Sequence, residues 1–594
     1  MWTKNNKPVT AIKLNDEWIT APTMAQYLSA GCVLQPDTPS IPEECELYGS
    51  ATSVVVSGYD TSKGRATYWT SNTLAPTSSL YWLSDASSGN YILYTSGVNI
   101  NTNLFGLPNS TTLSGNVTVV MSGGTTANVG FGAAQRQPSG IDGNLNITLV
   151  DHTCNNRTYG IMGGSVDGDI TLYAKNCVVK SDFEPFFINY TSATYSQSTI
   201  GRVTVALDNV SIPDTFTLYL GGVTNTPKVF DSPVLSTGDI DVMLNCSGGT
   251  RVFAGGFTSA TAQYGKITTI VTGGSCATVE ATGNGIFGGV AVFGVPSGAV
   301  SATVDAVEMT VKDGDTYYVY GGGFPQAASG VPTSCYPWHT VTSDVIVNIE
   351  GGTCSGVCGF GTAAQGGGTA YVGGDIKINI LGGEITESVH AGPRHVSTDH
   401  AGFEFMGGSA VVTVAGSSDY PCVFNGCSGT NQLDGTPLDS ICFSDYQGNL
   451  TGSVCGYAYI GFKGNTTFNR GGSTCVFSNN SPDFICDITR RDINYASAAV
   501  IETFPEASDI AEFGINIVVN PHAAVTGSWC ICNIPNAYDS SIHYVVRDDQ
   551  GNELLSCYTG DTPDIPVISG GLFNGWTLTR THNGGVTTTW FERP

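Results

Sequence analysis

The chain has 594 residues, of which only 12% are charged, with 76 glycines and a net charge of −26. Low charge with abundant Gly and β-branched residues favours short strands and tight turns over helices, in a chain too long for one ordinary core. The acidic balance excludes nucleic acid as the main partner, since phosphate binding needs clustered Lys and Arg, and no apolar run is long enough for membrane insertion.

Residues 1–45 read as an N-terminal attachment module and linker. Met1–Pro8 carries no apolar run behind its charges, so no secretory signal is expected. Val9–Ile19 alternates as a hairpin with its turn near Asn15-Asp16, and Thr23–Gly31 reads as a helix with Gly31 just past its end. Gln35–Pro42 is Pro-rich linker. Residues 46–110 are expected to be irregular β, a capping region.

From 111 to 488 one template recurs: Gly, a polar residue, alternating apolar positions, then Gly-Gly. It stands at Gly115–Gly124, Gly238–Leu244, Ser343–Gly352 and Gly374–Gly383. Period-2 alternation sends Ile240, Val242 and Leu244 to one face, as it does Val345, Val347 and Ile349, and Ile376, Ile378 and Ile380. A second short strand follows each Gly-Gly and closes on another Gly run. Aligned on their inward Val or Ile, these strands place Phe253, Phe287, Tyr320, Cys358 and His390 at spacings of 34, 33, 38 and 32. A period near 33 that survives changes of loop length predicts an all-β fold, a right-handed parallel β-helix (β-solenoid) whose stacked coils share one core.

The outward column Phe253, Phe287, Tyr320 is expected to be covered, as an interface in a homo-oligomer such as a trimer or by a loop of the same chain; a sugar-stacking platform is the other reading. Two connections look long. Phe324–Thr342 carries Tyr336, Trp338 and His339, and Gly392–Ser409 carries Arg394, His395, Asp399, His400 and Glu404. Aromatic faces beside groups that make directional hydrogen bonds suit a carbohydrate, so these residues form the candidate ligand-binding set. Asp399 and Glu404 are candidate acid or base residues of a glycosidase or lyase. Convergence of His390, His395 and His400 on a metal, and a solvated loop without chemistry, stay open beside them.

The 18 cysteines lack paired CxxC sets and are expected mostly as free, buried thiols, with a disulfide framework as the alternative. No phosphate loop, dinucleotide fingerprint or nucleophile elbow occurs, so no cofactor is expected. From 489 to 594 the pattern changes to Ile517-Val-Val, His543–Leu555 and Gly575–Trp590, the last with a tight-turn Asn583-Gly584, which predicts a separate C-terminal antiparallel β domain.

The Gly-Asp-Ile-x-Val-x-Ile-x-Gly-Gly repeat with its Val-Tyr-Gly-Gly-Gly partner resembles Gly-rich β-helical surface proteins of gut bacteria and the shafts of phage tailspikes and fibres. Trp18–Gly31 resembles a short module on phage structural proteins of gut viruses. These resemblances imply a virion-surface fibre or tailspike that joins other virion proteins through its N-terminus and binds a host-surface glycan or protein. A polysaccharide depolymerase and a bacterial cell-surface adhesin are the alternatives.

Overall fold

In a computed structural model the chain is all-β, with parallel strands in stacked sheets. Side chains are described from residue 82 to 386 apart from short interruptions, with individual backbone strands on either side of that span. The chain divides into two compact units, 1–226 with 233–249 and 264–270, and 227–232 with 250–263 and 271–594.

In the first unit the long strands Gly64–Trp69, Asn90–Ser96, Val117–Ser122, Leu145–Val150, Ile170–Lys175, Val203–Ser211 and Ile240–Gly248 pair in parallel, each with the next. Val117, Val119 and Met121 are fully buried, as are Leu145, Ile147 and Leu149 opposite them, while Thr118 and Asn146 stay partly exposed. The ladder is in place from residue 64, so the stretch 46–110, expected to be irregular, carries the same repeat over most of its length. Tyr91, Val117, Leu145, Ile170, Val203 and Ile240 occupy one position, so the advance per repeat is 26, 28, 25, 33 and 37 residues.

Three shorter strands follow each long one from Asn90–Ser96 onward. After Val117–Ser122 these are a second strand, Thr125–Thr126, a third, Val129–Ala133, and a fourth, Gly140–Ile141, each stacked in parallel on its counterparts. Polar columns hold the corners. The residue before each long strand accepts from the next repeat: the Asn144 amide donates to Asn116 Oδ1 (2.8 Å), Asp169 to Asn144 Oδ1 (2.8 Å) and Arg202 to Asp169 Oδ1 (3.0 Å). This is why a polar residue recurs there. At the turn after the long strand Gly123 has φ +64°, and Asp151, Asn176 and Asn209 take the same left-handed conformation, which short polar side chains tolerate. Asn209 Nδ2 donates to Asn176 Oδ1 (2.9 Å) and Asn176 Nδ2 to Asp151 Oδ1 (3.1 Å).

The second unit repeats the plan. Val307–Val311, Val345–Ile349, Ile376–Ile380, Ala410–Val414 and Thr466–Phe468 stack in parallel, with Val347 fully buried between Met309 and Ile378. Pairing turns antiparallel between Thr466–Arg470 and Ser473–Ser478, upstream of the expected boundary at 489. The C-terminal region is mixed rather than antiparallel, since Gly514–Val519 runs parallel to His543–Asp548. Alternation reveals strands but not their direction, so the sequence pattern could not separate the two. The last hairpin pairs Asn583 with Val586. Near the N-terminus Leu14 pairs with Glu17 across Asn15-Asp16 as expected, and Thr23–Gly31 lies outside the described residues.

Cys154, Cys177, Cys246, Cys276, Cys354 and Cys358 are free and buried. Burial pushes the Cys154 and Cys354 thiols up to about 12, so they pack as small apolar groups and stay unreactive.

Candidate functional site

The fourth strands of the second unit are Ser301–Val304, Trp338–Val341, Gly368–Val372, Ala401–Phe405 and Tyr459–Gly461, stacked in parallel. Alternation divides each between core and surface. Ala302, Val304, His339, Val341, Ala370 and Val372 are buried, whereas Ser301, Thr303, Trp338, Thr340 and Tyr371 are half-buried on the outer face. Register sets two rows across that face. One runs Ser301, Trp338; the other runs Thr303, Thr340, Tyr371, whose register partner on the next strand is Glu404. Trp338 and Tyr371 sit diagonally on neighbouring strands, about 8 Å apart by strand spacing and rise. Two flat aromatic faces at that separation, edged by three hydroxyls, form a shallow surface on which a sugar ring can stack and hydrogen-bond.

The fold does not require those aromatics. In the first unit the outward position just before the last inward residue, the one Tyr371 takes here, is held by Thr112, Gly140, Ser165, Thr199 and Ser236, where the Thr199 amide donates to Ser165 Oγ (3.1 Å).

Several expectations change here. The two long connections hold the third and fourth strands of their repeats rather than loops. Trp338 opens a strand, and Tyr336 lies just before it, half-buried, after a 3-10 turn at Thr333–Cys335. His339 is not available to a ligand. It points into the core at 0% exposure, and its Nε2 accepts from the Val290 amide (3.2 Å). Burial pushes its imidazole down to about 3, so the ring is neutral. Gly323 and Gly289 make room for it: a Cβ at Gly323 would collide with the ring, and one at Gly289 would lie 2.8 Å from Nε2. Arg394 and His395 pair with Thr362 and Ala363 in a separate two-stranded sheet. Asp399 and His400 lie outside the described residues. Of the predicted set, Trp338 and Glu404 therefore share the ladder. Tyr371 was missed, although Thr369-Ala-Tyr-Val372 aligns with Trp338-His-Thr-Val341 and Ser301-Ala-Thr-Val304.

The column Phe253, Phe287, Tyr320 is not an interface for sister subunits. Within the single chain its rings are 2%, 0% and 0% exposed, stacked at 4.5 and 4.3 Å between centroids. Phe324 packs edge-on against Phe253 and Phe287, and Arg251 lies over Phe324 while its Nε donates to Asn284 Oδ1 (3.3 Å). The chain covers its own aromatic column, which leaves no apolar patch there for a partner or a sugar.

A second polar cluster, in the first unit, went unnoticed in the sequence. Tyr159 stacks on Phe187 (4.9 Å), and its hydroxyl donates to Asp182 Oδ2 (3.0 Å), which also meets Arg157 Nε (3.3 Å). Glu184, opposite Tyr159 in register, is 6% exposed with one carboxyl oxygen lacking a hydrogen-bond partner. Burial, then the charge of Asp182, pushes its carboxyl well above the usual range. A Phe-Glu-Pro-Phe-Phe run gives no such signal, because alternation marks Glu184 only as outward. Among the described residues no group of three or more His, Cys, Asp or Glu is placed to hold a metal. No protein family, no curated protein and no solved structure matches the chain.

Proposed function

We propose that the chain is a right-handed, closed β-solenoid that displays a carbohydrate-recognition face, working as a fibre- or tailspike-like protein at a virion surface and contacting host-surface glycan. The observation that carries this reading is the outer face of the fourth-strand ladder. Trp338 and Tyr371 stand half-buried on adjacent strands, ringed by Ser301, Thr303 and Thr340, and at the position of Tyr371, just before the last inward residue of the strand, the first unit has only small residues. Flat aromatic faces with flanking hydroxyls match the alternation of apolar ring faces and equatorial hydroxyls on a pyranose. A rigid strand presents them in advance, so binding costs little ordering entropy. Attachment to other virion proteins belongs to residues 1–45 in this reading. The test is an array of bacterial surface polysaccharides probed with the whole chain. Trp338→Ala and Tyr371→Ala each weaken binding to the retained glycan about tenfold or more, the loss of one stacking ring, without lowering thermal stability much. Unchanged binding in both variants moves the receptor site elsewhere, with the C-terminal β region next in line.

Cleavage of a glycan is the second reading, favoured by Glu184 and Asp182, two carboxyls whose surroundings differ as an acid and a base require. At 6% exposure Glu184 has little room for a sugar, so recognition leads. Release of new reducing ends from the retained polysaccharide, abolished in Glu184→Gln, would reverse that order.

A further inference from the structure

Resting on the recognition face proposed above, we infer that it selects uncharged or amino-bearing glycans and rejects polyanionic ones such as uronate, sulfated or phosphate-bridged polymers. A site for an anionic sugar keeps a cation within reach of the carboxylate or phosphate, usually an Arg presenting its forked donors. None stands on this face among the described side chains: its outward residues are Ser301, Thr303, Trp338, Thr340 and Tyr371.

The described cations of the second unit are also engaged elsewhere. Arg251 lies over Phe324 and donates to Asn284. Lys312 meets Glu350 (3.6 Å), and Lys377 sits between Asp344 (2.8 Å) and Asp375 (2.9 Å). Burial raises the Asp344 carboxyl, but hydrogen bonds from Lys377 and the Asp375 amide, with the Lys377 charge, together hold it below its usual range, so moving this lysine to a ligand would forfeit an existing pair. Three cations stand against nine carboxylates among the described side chains of this unit. Across the chain 49 Asp and Glu outnumber 23 Lys and Arg.

The strand register adds to the same sign. Glu404 occupies the position next to Tyr371 in the row Thr303, Thr340, Tyr371. Among the described side chains, a polymer lying along the row meets no positive charge. An anionic chain pays repulsion and desolvation without a partner, whereas a neutral chain stacks and an amino sugar gains attraction.

The experiment is the polysaccharide array with matched neutral, amino-bearing and anionic spots, read at low and at physiological salt. The expected result is retention on neutral or amino-bearing spots, with anionic spots about tenfold weaker or blank, and binding to amino-bearing spots that weakens as salt screens the attraction. A Thr340→Lys variant should gain binding to anionic spots, because it places one cation between Trp338 and Tyr371. Retention on anionic spots by the wild-type chain, lost in Trp338→Ala, overturns the charge selection while leaving the recognition face standing. Retention of no polysaccharide at all overturns the recognition reading and this inference with it. A Thr340→Lys variant that folds and binds neutral spots but gains nothing on anionic ones also contradicts the charge selection.

Discussion

The fourth strands of the two units have the same inward residues and different outward ones. In the first unit Ile141, Val166, Ile200 and Leu235 fill the core while Gly140, Ser165, Thr199 and Ser236 look outward. In the second, Val304, Val341 and Val372 fill the core while Thr303, Thr340 and Tyr371 take the matching outward position, with Trp338 two residues before Thr340 on the same face. The inward half of each strand is set by stacking, which accepts any β-branched or aliphatic residue of suitable size. The outward half is free of that constraint, so large aromatics there point to a use beyond folding. The aromatic column Phe253, Phe287, Tyr320 teaches the reverse. Alternation also reads it as outward, yet its rings are buried, with Phe324 edge-on against two of them, and act as packing.

The comparison breaks most severely at a shared inward position. Val347→Asp buries an unpaired charge between Met309 and Ile378 and should cost several kcal/mol, unfolding the neighbouring repeats. Val205→Asp, between Leu172 and Val242, should do the same in the first unit. Chemical denaturation followed by circular dichroism measures both, and a native-like midpoint in either variant contradicts the buried column.

At the outward positions the two units should part company. Trp338→Ala loses glycan binding about tenfold or more while its melting temperature hardly moves, and Ser236→Ala changes neither. Equal losses in both would mean that the aromatic face has no special role.

Two buried ionisable groups sharpen the contrast through opposite pH responses. The Glu184 carboxyl, raised in the folded state, contributes stability that is present below its unfolded value of 4.5 and is lost as pH rises. Glu184→Gln should therefore be more stable than wild type at pH 7 and no different at pH 4. The His339 imidazole, lowered to about 3, contributes stability that is present above 6.5 and is lost as pH falls toward 3. His339→Gln should flatten that acid-side loss while keeping an acceptor for the Val290 amide. Parallel melting curves for wild type and each variant across these windows would refute the burial of the group concerned.

The smallest effect belongs to the polar columns. Asn144→Ala removes the acceptor of the Asp169 amide while its own backbone amide still donates to Asn116, and should cost about 1 kcal/mol. Asp344→Ala, which removes the acceptor of the Asp375 amide (2.8 Å) and a partner of Lys377, is its counterpart in the second unit and should cost at least as much.

The long strands were legible because both signals fall within a few residues: alternation at Val345, Val347 and Ile349, and a polar residue before each strand, now seen to be the acceptor for the next repeat. The fourth strand is short and contributes only two inward residues, so its alternation was lost in what looked like a loop. Yet a Val or Ile a few places before each polar residue marks it, as in Val341-Thr-Ser-Asp344 and Val372-Gly-Gly-Asp375. With that mark, Trp338 and Tyr371 fall outward and His339 inward. The cover over Phe253 was not legible, because it comes from a ring 71 residues away in sequence and from a corner geometry that alternation does not encode. Glu184 was hidden for a similar reason, since its burial arises from neighbours such as Tyr159 across the ladder rather than from its own strand.

The recognition face is tested most directly by fluorine NMR on the chain labelled with 5-fluorotryptophan, with the Trp338 resonance assigned as the one missing in Trp338→Phe. There are eight tryptophans, so each reports on its own surroundings. Addition of the glycan retained on the array should shift or broaden the Trp338 resonance and leave the others in place. A shift of another tryptophan with the Trp338 resonance unmoved would contradict the account.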